Sequence, residues 1–264
     1  GMAMKNILKI MLMMITIFTI AGSAVYAAEI PVSDQDQLIT SNDWTEISNL
    51  QDEMKKEEPD ATIDYDKALK VYVDCNLIKL QTADTKKLTS ALESANYVWV
   101  IPFKMEKTYG MFTVAKGLPL REEAKSVLTK AEQEEVKNHA GKWMITEIAE
   151  HTVEPYYDIL LEKREALSDC TRVVLVGSQP GMRQPVALGM DDETARIWIS
   201  LGYQYPVMEK IPETQNVESG VYSFDSVAEI SDTYIEDSEV STGAGVQSRS
   251  SMKYVAGIGI VLIG

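Results

Sequence analysis

The stretch that decides the fold runs Tyr97-Val98-Trp99-Val100-Ile101-Pro102-Phe103. β-branched and aromatic side chains fill it and no charge interrupts it, which suits a buried strand. Residues 108–115 pair back on it. Lys104, Glu106 and Lys107 then mark the tip of a β-hairpin.

Upstream, Asp84 is placed to cap a helix whose apolar face is Leu88, Ala91, Leu92 and Ala95, with Asn96 as its stop. Leu69, Val71 and Val73 alternate as a strand over residues 67–73. Before that, Ser41-Asn42-Asp43 leads into Trp44, Ile47, Leu50 and Met54, a capped amphipathic helix that ends at residues 57–60.

Downstream, residues 121–140 carry the plainest helical stripe: Ala124, Val127, Leu128, Ala131 and Val136. Glu122 and Glu123 sit at its positive end and Gly141 stops it. A strand is expected over 142–147 and a helix opening at Pro155. Further strands are expected over 172–176, 185–188 and 195–200, with a turn at 178–181. The resulting order, α-β-α-β-β-α-β-α-β-β-β, implies an α/β or α+β fold: a mixed β-sheet with helices packed on its faces. A faint echo links Gly110-Met111 and Val114-Ala115-x-Gly117 to Gly181-Met182 and Val186-Ala187-x-Gly189. It raises a duplicated β-α-β-β unit as one option and coincidence as the other.

Charge divides the 264 residues into regions. The formal net charge is −15, from 25 basic and 40 acidic residues. Residues 28–66 hold 12 acids against 2 bases, and residues 211–240 hold 8 acids and no base. Residues 67–210 are nearly neutral, with 20 acids and 19 bases, and so mark the expected folded ectodomain. The acidic flanks read as solvated, disordered or helical arms, the first carrying one helix. Such a balance disfavours nucleic acid, whose phosphates need a basic surface. It equally disfavours electrostatic docking on an anionic bilayer.

Both ends read as membrane-related. After Gly1, which looks like an added residue, Lys5 and Lys9 precede an apolar run over 10–21 and the small residues of 22–28. That is the pattern of a secretory signal, residues 1–27, with cleavage after Ala27; an uncleaved anchor is the alternative. Residues 211–253 read as an acidic and then Ser/Gly-rich tether. If unstructured, it would reach about 35–40 Å. Residues 254–264 are wholly apolar and read as the start of a transmembrane helix, with Lys253 and Tyr254 at the interface. A terminal strand or helix docked on the core is the alternative. The membrane, through this C-terminal anchor, is thus an expected partner.

Chemistry is scarce. Around Ser178 the glycines of a nucleophile elbow are replaced by Val176 and Pro180. Glu147-Ile-Ala-Glu150-His151 has the spacing of an inverted zinc-peptidase motif, but glutamate holds the place of the first histidine. His139 falls in the last turn of its expected helix, where a cation suits the dipole. Asp34-Gln35-Asp36 begins like a calcium loop but lacks its glycine and terminal glutamate. Trp44, Trp99, Trp143, Trp198 and Tyr156-Tyr157 are core residues or pocket walls. Two cysteines are too few for a disulfide scaffold or a four-thiolate zinc site. Cys75 and Cys170 each flank a strand and form a possible disulfide if those strands are neighbours; two free buried thiols or a reactive thiol are the other readings.

No catalytic residue, metal or cofactor is assigned. The layout favours an exported bacterial ectodomain that binds a protein or small-molecule ligand without catalysis. An envelope hydrolase using Cys/His or carboxylate chemistry is one alternative, and a structural subunit of a surface assembly is another.

Overall fold

A computed structural model describes residues 29–150 and 154–231 and the backbone of residues 151 and 252–253. The expected signal and the apolar run over 254–264 lie outside the described residues. So does residue 232 onward within the expected tether, apart from that backbone pair.

The chain forms a mixed sheet with helices on its faces. In order come α1 (Trp44–Ile47), α2 (Gln51–Glu57), β1 (Thr62–Ile63), β2 (Leu69–Tyr72), α3 (Thr85–Glu93), β3 (Tyr97–Lys104) and β4 (Tyr109–Lys116). Then follow α4 (Glu122–Lys125), α5 (Lys130–His139), β5 (Trp143–His151), α6 (Tyr156–Glu162), β6 (Arg172–Val176) and β7 (Val186–Met190). The last are β8 (Ala195–Ser200), α7 (Pro206–Glu209), β9 (Val221–Ser223), α8 (Phe224–Ser231) and β10 (Met252–Lys253). The strand order is β10-β5-β4-β3-β2-β6-β7-β8-β9, with β1 pairing on β3.

The sheet consists of two antiparallel meanders, β2 to β5 and β6 to β9. They join at the parallel pair β2/β6, whose ladder matches only Val71 with Leu175 and Tyr72 with Val176. Below it the chain's N-terminal stretch fills the fork. Val173 N–H donates to Pro31 O on one side, and Leu38 N–H donates to Ala68 O on the other.

β3 is the buried strand its composition demands. Its Pro102 is tolerated for a local reason. β2 pairs with residues 97–100 and β1 with Phe103 and Lys104, so Pro102 lies at the changeover. Its carbonyl still accepts from Asp64 N–H, and its missing donor falls where the ladder changes partner.

Alternation along the strands sorts the core. Leu69, Val71, Val98, Val100 and Val173 face one side, where Tyr156 and Leu160 of α6 cover them. The opposite side is split. Leu38, Ile47 and Met54 cover Trp99, Phe103, Phe112 and Ile145. Leu88 and Leu92 of α3, with Phe224 and Val227 of α8, cover Val174, Leu188 and Trp198. The line between these two clusters carries Lys70, Tyr72 and Arg172.

Three expectations change. Residues 28–66 are not a solvated arm over their described part: Leu38, Ile47 and Met54 have no exposed surface. Each such side chain contributes about 1.5–3 kcal/mol of burial. The tether does not begin at residue 211, because β9 extends the sheet and α8 packs on it. The single helix over 121–140 is two helices, interrupted at residues 126–129, and neither has a buried residue. Thr129 restarts it with a capping box: Glu132 N–H donates to Thr129 Oγ1 at 3.2 Å, and Thr129 N–H donates to Glu132 Oε2 at 2.6 Å.

Of the echoed residues, Val114-Ala115 lie on β4 and Val186-Ala187 on β7, each the second strand of an antiparallel pair, whereas the two glycines before them differ in setting. Gly110 lies inside β4, where an added Cβ would collide with the Phe103 ring. Gly181 lies in the turn before β7 with φ of 71°.

Candidate functional site

Two polar constellations stand out: a seam on the sheet and a groove beside its β9 end. The seam begins with Asp36, which is 3% exposed. Arg172 donates Nε and Nη2 to Asp36 Oδ2 at 3.0 and 2.8 Å, and Ser33 Oγ donates to the same oxygen at 2.6 Å. Tyr72 OH donates to Asp36 Oδ1 at 2.6 Å. The carboxylate's acceptor capacity is thus largely used, which is what makes a buried ion pair tolerable.

One step across the sheet, Asp43 Oδ2 accepts from Tyr97 OH at 2.7 Å and from Trp99 Nε1 at 3.0 Å. Lys70 lies between these groups. Its Nζ is 4.1 Å from the Tyr97 ring centre, 5.3 Å from that of Trp99 and 5.6 Å from that of Tyr72. This is a cation held over three aromatic faces. Burial lowers the ammonium pKa, and the Asp36 and Asp43 charges partly restore it. The seam therefore ties Asp36 and Asp43 of the N-terminal segment to both meanders, with its main polar groups bonded to one another.

The residues that the sequence marks for chemistry are dispersed. Cys75 and Cys170 are free thiols. The strands they flank are indeed neighbours, but they run parallel. Cys75 follows the end of β2 and Cys170 precedes the start of β6, so they lie at opposite ends of the pair. At about 3.3 Å per residue this separation far exceeds the ~7 Å limit for a disulfide. Burial pushes the Cys170 thiol up to about 11 and raises Cys75 as well, so neither is a ready thiolate.

Glu147 and Glu150 lie on β5, and strand alternation sends them to opposite faces. His151 ends the same strand. Ring nitrogen Nδ1 of His139 is 2.8 Å from Glu135 O. Ser178 has φ of 55° in the turn before β7. Asp36, at the calcium-like stretch, is committed to Arg172. Trp99, Trp143 and Trp198 are buried, and Trp44 packs edge-on against Tyr65 at 5.1 Å. Among the described residues no three His, Cys, Asp or Glu side chains are grouped to hold a metal ion.

The groove lies where sequence reading expected a tether. It encloses about 580 Å³ between α7 and the loop leading to β9. Tyr203, Tyr205 and Tyr222 form its aromatic wall, and Glu209, Glu213 and Glu218 stand on its rim. Tyr205 OH donates to Pro185 O and accepts from Leu201 N–H at 3.2 Å. Tyr203 OH shares a 2.6 Å hydrogen bond with Tyr156 OH. Burial pushes the Tyr203 phenol up to about 12. Burial and the Glu213 charge also raise that of Tyr222. Asn216 Oδ1 faces no hydrogen-bond partner although the atom is buried.

Sequence reading missed this site because it ended the domain at residue 210. Two signals were present. Pro206 follows an aromatic pair and opens α7. Ser223 accepts from Ser226 N–H at 3.2 Å and precedes Phe224, Val227 and Ala228 at helical spacing.

Among the described residues no helix is long and apolar enough to cross a membrane. No known protein family matches the chain, and no curated protein or solved structure shows significant similarity to it.

Proposed function

We propose that this chain is an exported, membrane-tethered binding ectodomain whose ligand occupies the groove between α7 and β9. The observation that carries the reading is the groove itself: about 580 Å³ beside α7, walled by Tyr203, Tyr205 and Tyr222 with exposed carboxylates at its rim. In the seam, by contrast, Asp36, Arg172, Tyr72, Asp43, Tyr97 and Trp99 are spent on one another. A concave, aromatic-walled site of this size suits recognition of a ligand. Export is supported by the basic, apolar and small-residue succession of residues 2–27, and tethering by the apolar run over 254–264.

Amide chemical-shift mapping tests the binding reading. The ligand panel comprises neutral oligosaccharides and peptides of both charges. Saturable shifts confined to residues 203–222 are the expected result. Turnover of generic ester or peptide substrates, without saturable binding in the groove, would replace this reading with a hydrolase. Protease shaving of intact cells tests export: the domain should be digested from outside without lysis.

A further inference from the structure

We propose that the domain rests on the membrane through one face, formed by the outer edge of β5 and the α4–α5 excursion, with the apolar stripe of that excursion against the lipid. The inference rests on the tethering reading and adds an orientation to it.

The argument starts from where the chain leaves the sheet. Met252 and Lys253 directly precede the apolar run and pair antiparallel with Ala149 and Ile148. Among the described residues β10 is the only strand on the outer edge of β5. β5 runs from Trp143 to His151, so β10 runs back toward Trp143. At about 3.3 Å per residue, the Trp143 end lies about 16 Å further along that edge than Lys253. The α4–α5 excursion joins β5 at the same end. Its neck is clamped: Gly117 N–H donates to Lys142 O at 2.9 Å, and Gly141 N–H donates to Gly117 O at 2.8 Å. A bilayer that takes up the apolar run therefore has this excursion as its neighbour.

The chemistry of the excursion suits that neighbour. Neither α4 nor α5 has a buried residue, and Val127 between them is 68% exposed. Residues 121–142 hold five acids and five bases. This face thus escapes the negative charge that sets the rest of the chain against an anionic surface. Apolar residues along one side and charged residues along the other suit seating at a lipid interface. Two or three such side chains would hold a free domain weakly. Anchoring in the same bilayer makes the contact intramolecular, so a weak contact is enough. The groove stays clear of the lipid. The strand order places β8, which borders it, six strands from β5, about 30 Å across the sheet.

The test uses the full chain on phosphatidylcholine vesicles that carry a photoreactive diazirine in the headgroup. Lipid adducts should fall on residues 122–137 and be absent from residues 203–222. Val127→Glu/Leu128→Glu puts charge into the stripe without altering a buried residue. It should cut those adducts by about tenfold or more while the chain still floats with the vesicles. Val217 is also exposed, at 56%, but lies in the loop before β9, so Val217→Glu should leave the adducts unchanged.

Adducts that spread evenly over the domain, miss residues 122–137 or persist in the double variant would overturn the docked orientation and leave the tether standing. Failure of the unaltered chain to float with the vesicles would remove the tether, and this inference with it.

Discussion

Residues 34–66 and 121–140 exchange the places that their sequences suggest. The first is strongly acidic and reads as a solvated arm, yet it covers half of one sheet face. The second has the plainest amphipathic stripe in the chain, yet Val127 within it is 68% exposed. The difference lies in side-chain size and in partners. The stripe over 121–140 is built mainly from Ala and Val, which offer little area to bury. The N-terminal segment contributes few apolar residues, but Leu38, Ile47 and Met54 are large and meet an aromatic sheet face. Its acids are also put to use, since Asp36 and Asp43 anchor it to Arg172, Tyr72, Tyr97 and Trp99.

The comparison breaks most sharply at the ion pair. Arg172→Ala leaves the Asp36 carboxylate buried without its cation and should cost about 3–5 kcal/mol in urea unfolding. A loss under about 1 kcal/mol would show that the N-terminal segment is held by apolar contacts alone. Leu38→Ala should cost about 2–5 kcal/mol, as expected for a cavity in a packed core.

Alkaline pH sharpens the contrast. Burial first, and then the carboxylates they bond, raise the Tyr72 and Tyr97 phenols above their ordinary value of 10.0. A phenol raised on folding contributes stability that is complete below about pH 10 and is lost as pH climbs above it. Lys70 acts in the opposite sense. Its pKa is lowered on folding, so its penalty is relieved as pH rises through the folded value toward 10.5. Urea midpoints should therefore fall above about pH 10, and more steeply in Lys70→Met. A profile that stays flat above about pH 10 in Lys70→Met, where the opposing lysine is gone, would contradict the buried seam.

The smallest effects belong to the 121–140 region. Thr129→Ala removes the capping box and should cost about 1 kcal/mol. Hydrogen exchange should show that loss confined to α5. Val127→Ala should change global stability by no more than about 0.5 kcal/mol. A larger loss would place that stripe against a partner.

Much of the fold was legible locally. The continuous apolar run of β3, the alternation of β2 and the Asp84 cap each depend on near neighbours in sequence, and each is realised. The mixed sheet with its helices follows from their order. The groove was less legible. Tyr203, Asn216 and Tyr222 carry no motif, and the acidity around them resembled that of a linker. Asp36 and Arg172 were equally silent, being 136 residues apart.

By itself, then, the sequence determined the periodicities, the punctuation between elements and the poverty of catalytic motifs, because these reside in short spans. Only the tertiary structure decided which acids are buried, that parallel pairing keeps Cys75 from Cys170, and that the last described helix belongs to the core. The physical reason is shared by all three. Burial and pairing depend on what a residue meets across the sheet, and local pattern does not specify that partner.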